Sequence, residues 1–258
     1  MMAVFEHGTS RIYYEVHGSG DPVLLLPGFA VSMTELSALR EALAARYRVI
    51  SADLPGSGRS GPQPREYTPA YFEEDARSFA ALLRHLETGP GHLVGYSDGG
   101  EVSMLMAAMT PDLVRSVATW GAAGTIPEEQ LPLLDAFYDV VDNPIEPLQG
   151  FSEQLKAEYG EANARAMTRS FMNAIRAIIE GGGGDISLSR AGGITCPVLL
   201  IVGEHDFFVS PALVAQVADR IPSAEVIRVE GAGHGVHEDR PEWLARTLID
   251  WLTEHQIP

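Results

Sequence analysis

The chain has 258 residues, enough for one large domain or two small ones with a substantial core. With 45% hydrophobic and 21% charged residues it lies near the globular norm, which excludes disordered, collagen-like and repeat-fibre classes. Thirty-five Asp and Glu against eighteen Lys and Arg give a net charge of −17, which repels phosphate backbones and excludes nucleic acid and anionic membrane surfaces as partners. No apolar run approaches the ~18–20 residues needed to span a membrane. The N-terminal MMAVFEHGTSR has neither the basic nor the apolar region of a signal peptide. One cysteine, Cys196, allows no intrachain disulfide and no thiol-based zinc site. The reading is an acidic, cytoplasmic protein acting on a small molecule as a monomer or homodimer.

In chain order, short runs rich in Val, Ile and Leu alternate with longer helical patterns, the signature of βαβ units. Strands are predicted at 12–16, 23–26, 48–52, 92–96, 114–120, 198–203 and 225–229. Helices are predicted at 34–46, 69–87, 99–109, 211–220 and 240–254. The middle strands are apolar on both faces, as strands of a covered parallel sheet must be. From about 122 to 190 the alternation stops, and only helical periodicity and turn signals remain. Ala164, Met167, Phe171, Ile175 and Ile178 follow 3–4 spacing and predict one apolar helical stripe. The glycine run 181–184 is expected to end that helix. Such an insertion reads as a helical cap over the sheet's C-terminal edge, where open α/β sheets bind ligands. The predicted division is a core of residues 1–121 and 191–258 with a cap of residues 122–190. The cap holds five cations (Lys156, Arg165, Arg169, Arg176, Arg190) against eleven carboxylates.

The chemistry centres on His92-Leu-Val-Gly95-Tyr-Ser97-Asp98-Gly99-Gly100, which contains G-x-S-x-G between a predicted strand and a predicted helix. That context makes it a nucleophile elbow: a strained turn, possible with glycines at Gly95 and Gly99, lifts the serine above the sheet at a helix N-terminus. A serine hydroxyl needs a base, and the base needs an orienting acid. Gly203-Glu204-His205-Asp206 supplies a carboxylate after the next strand but one. Gly231-Ala-Gly-His234-Gly-Val-His237 supplies histidines after the last. The order Ser97, Asp206, His234 is the one this architecture uses.

With these residues in place, the chain resembles the α/β-hydrolases with a helical cap over essentially its whole length. Asp53-Leu-Pro-Gly56-Ser-Gly58-Arg-Ser60 is similar to the family's D-x-x-G-x-G-x-S loop, read here as structural. The resemblance implies an α/β fold: a mostly parallel eight-stranded sheet flanked by helices, the cap inserted after the sixth strand. It selects His234 over His237, because Pro241 lies seven residues beyond His234 as in the family's histidine loop. His237 is then structural, His205 a solvent-facing loop residue, and Glu204 one position off the family's G-x-x-D spacing. Cys196 reads as a buried small hydrophobe. The resemblance implies an oxyanion hole from the Asp98 and Phe29 N–H groups, with Pro27 where the commonest pattern has His. Proline removes one donor and fixes the local backbone angle.

The implied activity is carboxylic ester hydrolysis by a Ser97–His234–Asp206 acyl-enzyme route, with no cofactor and no metal. Gly95-Tyr-Ser-Asp-Gly-Gly100 with Val117-Ala-Thr-Trp120-Gly-Ala122 is similar to the valacyclovirase or biphenyl-hydrolase-like branch. That likeness implies that the Asp98 carboxylate binds the amine of aminoacyl esters, with Phe29 and Trp120 as further substrate contacts. The alternative is a tailoring enzyme on the same scaffold: a lactonase, C–C hydrolase, lyase or perhydrolase. The Gly99-Gly100-Glu101-Val102 run is similar to cofactor-free haloperoxidase-type perhydrolases, whose oxyanion-loop Trp is Phe29 here. A non-catalytic ligand receptor is the third reading.

Overall fold

The computed structural model describes residues 2–256. Eight strands form one sheet: β1 (Met2–His7), β2 (Ser10–His17), β3 (Pro22–Leu26), β4 (Arg48–Ala52), β5 (Gly91–Tyr96), β6 (Val114–Trp120), β7 (Val198–Gly203) and β8 (Ala224–Val229). Their spatial order is β1-β2-β4-β3-β5-β6-β7-β8. The first two junctions are antiparallel and the rest parallel. The central strands are covered on both faces, as their continuous apolar runs require. β1 was not among the predicted strands. It is a half-exposed edge strand, paired to β2 through the tight turn at Gly8.

Helices α1 (Ser37–Ala44), α8 (Val236–Asp239) and α9 (Pro241–Glu254) pack on one face, where Leu39, Leu43, Val236, Leu248 and Trp251 meet the sheet. Pro241 opens α9, where its missing N–H costs nothing. On the other face lie α2 (Tyr71–His85), α3 (Asp98–Met109) and α7 (Pro211–Ala218). α3 is buried nearly all round, consistent with its apolar Val102, Met104, Leu105, Met106 and Ala107.

Between β6 and β7 the chain forms α4 (Leu131–Tyr138), α5 (Gln149–Tyr159) and α6 (Glu161–Gly182), with short 3₁₀ turns and no strand among the described residues. The predicted stripe of α6 is buried, but the helix runs on through Gly181 and Gly182. It stops at Gly183, whose φ of +63° is the left-handed cap that glycine adopts freely. This inserted segment shares one apolar cluster with α2, α3 and the sheet. No helix among the described residues is long and apolar enough to cross a membrane.

Candidate active site

The site is built at the C-terminal ends of β3, β5, β6, β7 and β8. At the end of β5 the chain turns sharply into α3 through Ser97, whose φ of +52° and ψ of −119° are strained for a residue with a Cβ. Its N–H is held by the Trp120 carbonyl (2.9 Å), and its own carbonyl accepts the Gly100 and Glu101 N–H groups. A Cβ at Gly95 would overlap the Gly99 carbonyl, and one at Gly99 the Pro27 and Leu26 carbonyls, so both glycines are demanded by close approach.

Ser97, His234 and Asp206, 137 and 28 residues apart in sequence, form one hydrogen-bonded chain. Ser97 Oγ lies 3.1 Å from His234 Nε2, and His234 Nδ1 lies 2.9 Å from Asp206 Oδ2. The other Asp206 oxygen accepts the Phe208 and Val209 N–H groups at 2.9 Å, so the fully buried carboxylate is satisfied and cannot rotate freely. Nδ1 therefore carries the proton given to Asp206, and Nε2 is free to accept the serine proton. Gly121, with φ +69°, leaves the space that the imidazole occupies.

The Phe29 and Asp98 N–H groups have no protein acceptor among the described residues, and both residues line the cavity beside Ser97. Despite Pro27, the loop carrying Phe29 is well tied. Ala30 N–H donates to Ser57 Oγ (3.1 Å), Met33 N–H to the Asp53 carboxylate (2.6 Å), and the Tyr159 hydroxyl to the Ala30 carbonyl (3.0 Å). Asp53 also accepts the Arg59 N–H at 2.8 Å, so the 53–60 loop is a scaffold for the loop above it.

The cavity holds about 540 Å³. Its apolar wall comes largely from the inserted segment, with Phe137 on α4 and Phe171, Met172 and Ile175 on α6; Phe29 stacks on Phe171 at 3.7 Å between centroids. Its ionisable residues are carboxylates, His234 and Tyr96, with no Lys or Arg among the described lining residues. Asp98 accepts the Tyr71 hydroxyl (3.1 Å), and burial pushes its carboxyl up to about 7.

Trp120 requires a correction. Expected to contact substrate, it is fully buried and absent from the cavity wall; it stacks on Tyr96 and donates its indole N–H to His237 Nδ1 (3.1 Å). Its neighbour Thr119 faces α3, so strand alternation turns Trp120 to the opposite face. His237 is accordingly structural: with Nδ1 accepting from Trp120, its Nε2–H faces Glu35 at 2.8 Å. That hydrogen bond brings His237 and Glu35 together, and Glu238 lies beside them. His205 is exposed, as expected. Glu204 accepts the Gly231 N–H (3.0 Å) and pairs with Arg228, bracing the loop before His234. Cys196 is only partly buried; desolvation raises its thiol to about 11. Glu101, seen in sequence only as part of a family-like run, lines the cavity and is buried with three hydrogen bonds.

Residues 21–241 match the family described as the alpha/beta hydrolase fold. The serine hydrolase BPHL of Homo sapiens is 28% identical over 206 residues, spanning 76% of this chain and 67% of that protein. The 2-(acetamidomethylene)succinate hydrolase of Mesorhizobium japonicum is 28% identical over 251 residues, spanning 91% and 89%. Among solved structures, a thermophilic esterase from Thermogutta terrifontis superposes with a TM-score of 0.77 at 23% identity, each chain covered in full. The chain is an enzyme of the α/β-hydrolase fold family.

Proposed function

We propose that this enzyme is a serine hydrolase of small or medium carboxylic esters, with Ser97 as nucleophile, His234 as base and Asp206 as orienting acid. The observation that carries the reading is the continuous Asp206–His234–Ser97 hydrogen-bond chain ending in an apolar cavity. His234 Nε2 takes the Ser97 proton as Oγ attacks the ester carbonyl, and the Phe29 and Asp98 N–H groups receive the oxyanion. The imidazolium, stabilised by Asp206, then protonates the leaving alcohol, giving an acyl-Ser97 ester. Water, deprotonated by His234, attacks that ester, releasing the acid and restoring the serine. Residues 122–190 serve as the cap, supplying the acyl-binding wall and excluding bulk water.

The lining favours a neutral or cationic substrate. Glu35, Asp98, Glu238 and Asp239 line the cavity, and no cationic side chain among the described lining residues offsets them. A dicarboxylate such as the succinate derivative in the Mesorhizobium relative's name would meet repulsion here. Asp98, beside the nucleophile, is placed to accept an ammonium group, which supports aminoacyl esters as the preferred class.

The test compares an aminoacyl benzyl ester with its N-acetylated counterpart. Ser97→Ala should lower kcat by roughly 10⁴–10⁶-fold on both, as loss of a triad nucleophile does. Asp98→Asn should lower the amine-to-acetyl ratio of kcat/KM about tenfold, the scale of one lost charge-assisted contact. Turnover surviving Ser97→Ala would overturn the serine mechanism; an unchanged ratio in Asp98→Asn would remove the amine preference.

A further inference from the structure

We infer that Glu101 is a positioning residue: it clamps both ends of the inserted segment to the nucleophile's helix and thereby determines which acyl groups the cavity accepts. The specificity part of this inference rests on the serine-hydrolase reading; the clamp does not.

Glu101 sits one helical turn beyond Ser97 on α3, its N–H donating to the Ser97 carbonyl at 3.1 Å. The surrounding stretch of α3 is apolar and buried, a place where a carboxylate is costly unless it is fully hydrogen-bonded. Glu101 is fully hydrogen-bonded. One oxygen accepts the Ala123 (2.9 Å) and Gly124 (2.7 Å) N–H groups, and the other accepts the Ser187 hydroxyl (3.0 Å). Ala123 and Gly124 lie where the chain leaves β6 for the inserted segment, and Ser187 lies where it returns. The two ends are also zipped to each other. The Gly124 carbonyl accepts the Ile186, Ser187 and Leu188 N–H groups at 3.0 Å, and Ile126 N–H reaches the Gly184 carbonyl at 2.8 Å. Glu101 is thus the buried ionisable group that ties this zipped pair to the helix that positions Ser97.

The geometry links the clamp to specificity. Thr125, Ile126 and Ile186, immediately beyond the clamped residues, line the cavity. The segment they begin and end carries Phe137, Phe171, Met172 and Ile175, the wall facing Ser97. Release of the clamp moves this wall while leaving the Ser97–His234–Asp206 chain, which is built on core elements, intact. A short acyl group that barely reaches the wall is insensitive to such movement, whereas a long one depends on it.

The hydrogen-bond pattern also defines a rescue. In Glu101→Gln the amide oxygen can still accept both backbone N–H groups, and the amide NH₂ can donate to Ser187 Oγ. Glu101→Ala leaves all three donors without an acceptor.

The experiment compares p-nitrophenyl acetate and octanoate, with hydrogen exchange of the amides at 123–124 and 186–188 measured in parallel. For Glu101→Ala, kcat/KM on octanoate should fall about tenfold, chiefly through KM, with acetate within about threefold and faster exchange at both ends. Glu101→Gln should stay near wild type on every readout. Ser187→Ala should shift the octanoate-to-acetate ratio in the same direction by about two- to fourfold, as one of three bonds is lost. Equal loss on both esters, or Glu101→Gln behaving like Glu101→Ala, would overturn the inference. If Glu101→Ala does not fold, Ser187→Ala decides: an unchanged ester ratio with unchanged exchange at 186–188 rejects it. Turnover that survives Ser97→Ala would instead bring down the hydrolase reading, and the exchange data would still decide the clamp.

Discussion

A hydrogen atom in place of a methyl group at position 121 is a condition for the imidazole's position. Gly121 has φ +69°, and a Cβ there would lie 2.7 Å from His234 Cε1 and 3.1 Å from Nδ1. Gly121→Ala therefore strains the backbone and pushes the ring off the line between Asp206 and Ser97. Because a shift of about 1 Å at a general base costs about 10²-fold, kcat/KM for any ester should fall by that order. Circular dichroism should stay native-like, and activity near wild type would show that the ring tolerates the methyl. Asp98 makes a different prediction. Its carboxyl is raised to about 7, first by burial, against an ordinary value of 3.8. The folded state thus keeps a proton that the unfolded chain has already lost, so stability falls as pH rises from about 4 to about 7. Asp98→Asn is neutral throughout and can still accept the Tyr71 hydroxyl, so its urea stability should decline less between pH 5 and 7.5. Parallel slopes in the two proteins would reject the buried, protonated Asp98.

At the scale of elements, α2 is fastened to the loop before it by a buried ion pair. Arg65 meets Asp75 through two hydrogen bonds of 2.8 and 2.7 Å, and its guanidinium also caps the Pro55 carbonyl and lies over the Tyr67 ring at 4.7 Å. Both side chains are at least nine-tenths buried. Asp75→Ala would leave an uncompensated buried cation and should cost about 3–5 kcal/mol in urea denaturation. A loss below about 1 kcal/mol would mean that water reaches Arg65. The same helix carries Tyr71 to Asp98, so this pair also supports the cavity floor. Most elements were legible in the sequence, because buried parallel strands must be apolar runs and their helices amphipathic. β1 was not: its alternation of exposed and partly covered residues covers only one face of one neighbour, and reads like a terminal tail. The grouping of Ser97, His234 and Asp206 was legible because strand ends fix their order. Its neighbourhood in sequence places Trp120 beside the substrate, whereas the parity of β6 turns it to the opposite face. The Glu101 clamp could not be read at all, since its partners are backbone N–H groups and a hydroxyl 22 to 86 residues away.

Over the whole molecule, the net charge of −17 and the carboxylate-lined cavity act in the same direction. The arginines of the inserted segment do not offset this field at the cavity. Arg165 pairs with Asp142 and Glu161, Arg169 with Asp139 and Asp142, Arg176 with Asp135, and Arg190 with Glu73. A low-dielectric cleft lined by one sign of charge focuses its potential and raises the local concentration of the opposite ion. Salt should therefore separate substrates by charge. Between roughly 0.01 M and 0.15 M salt the screening length contracts from about 30 Å to about 8 Å. Over that range kcat/KM should fall several-fold for an ester with a quaternary ammonium group, which stays cationic at every pH. It should stay flat for a neutral isostere and rise for a carboxylate-bearing one. Relative to the neutral isostere, the cationic ester should also gain between pH 6 and 7.5, as Asp98 ionises through about 7, and that relative gain should vanish in Asp98→Asn. A salt response without the pH response would assign the preference to the general field of the molecule. A pH response without the salt response would assign it to Asp98 alone.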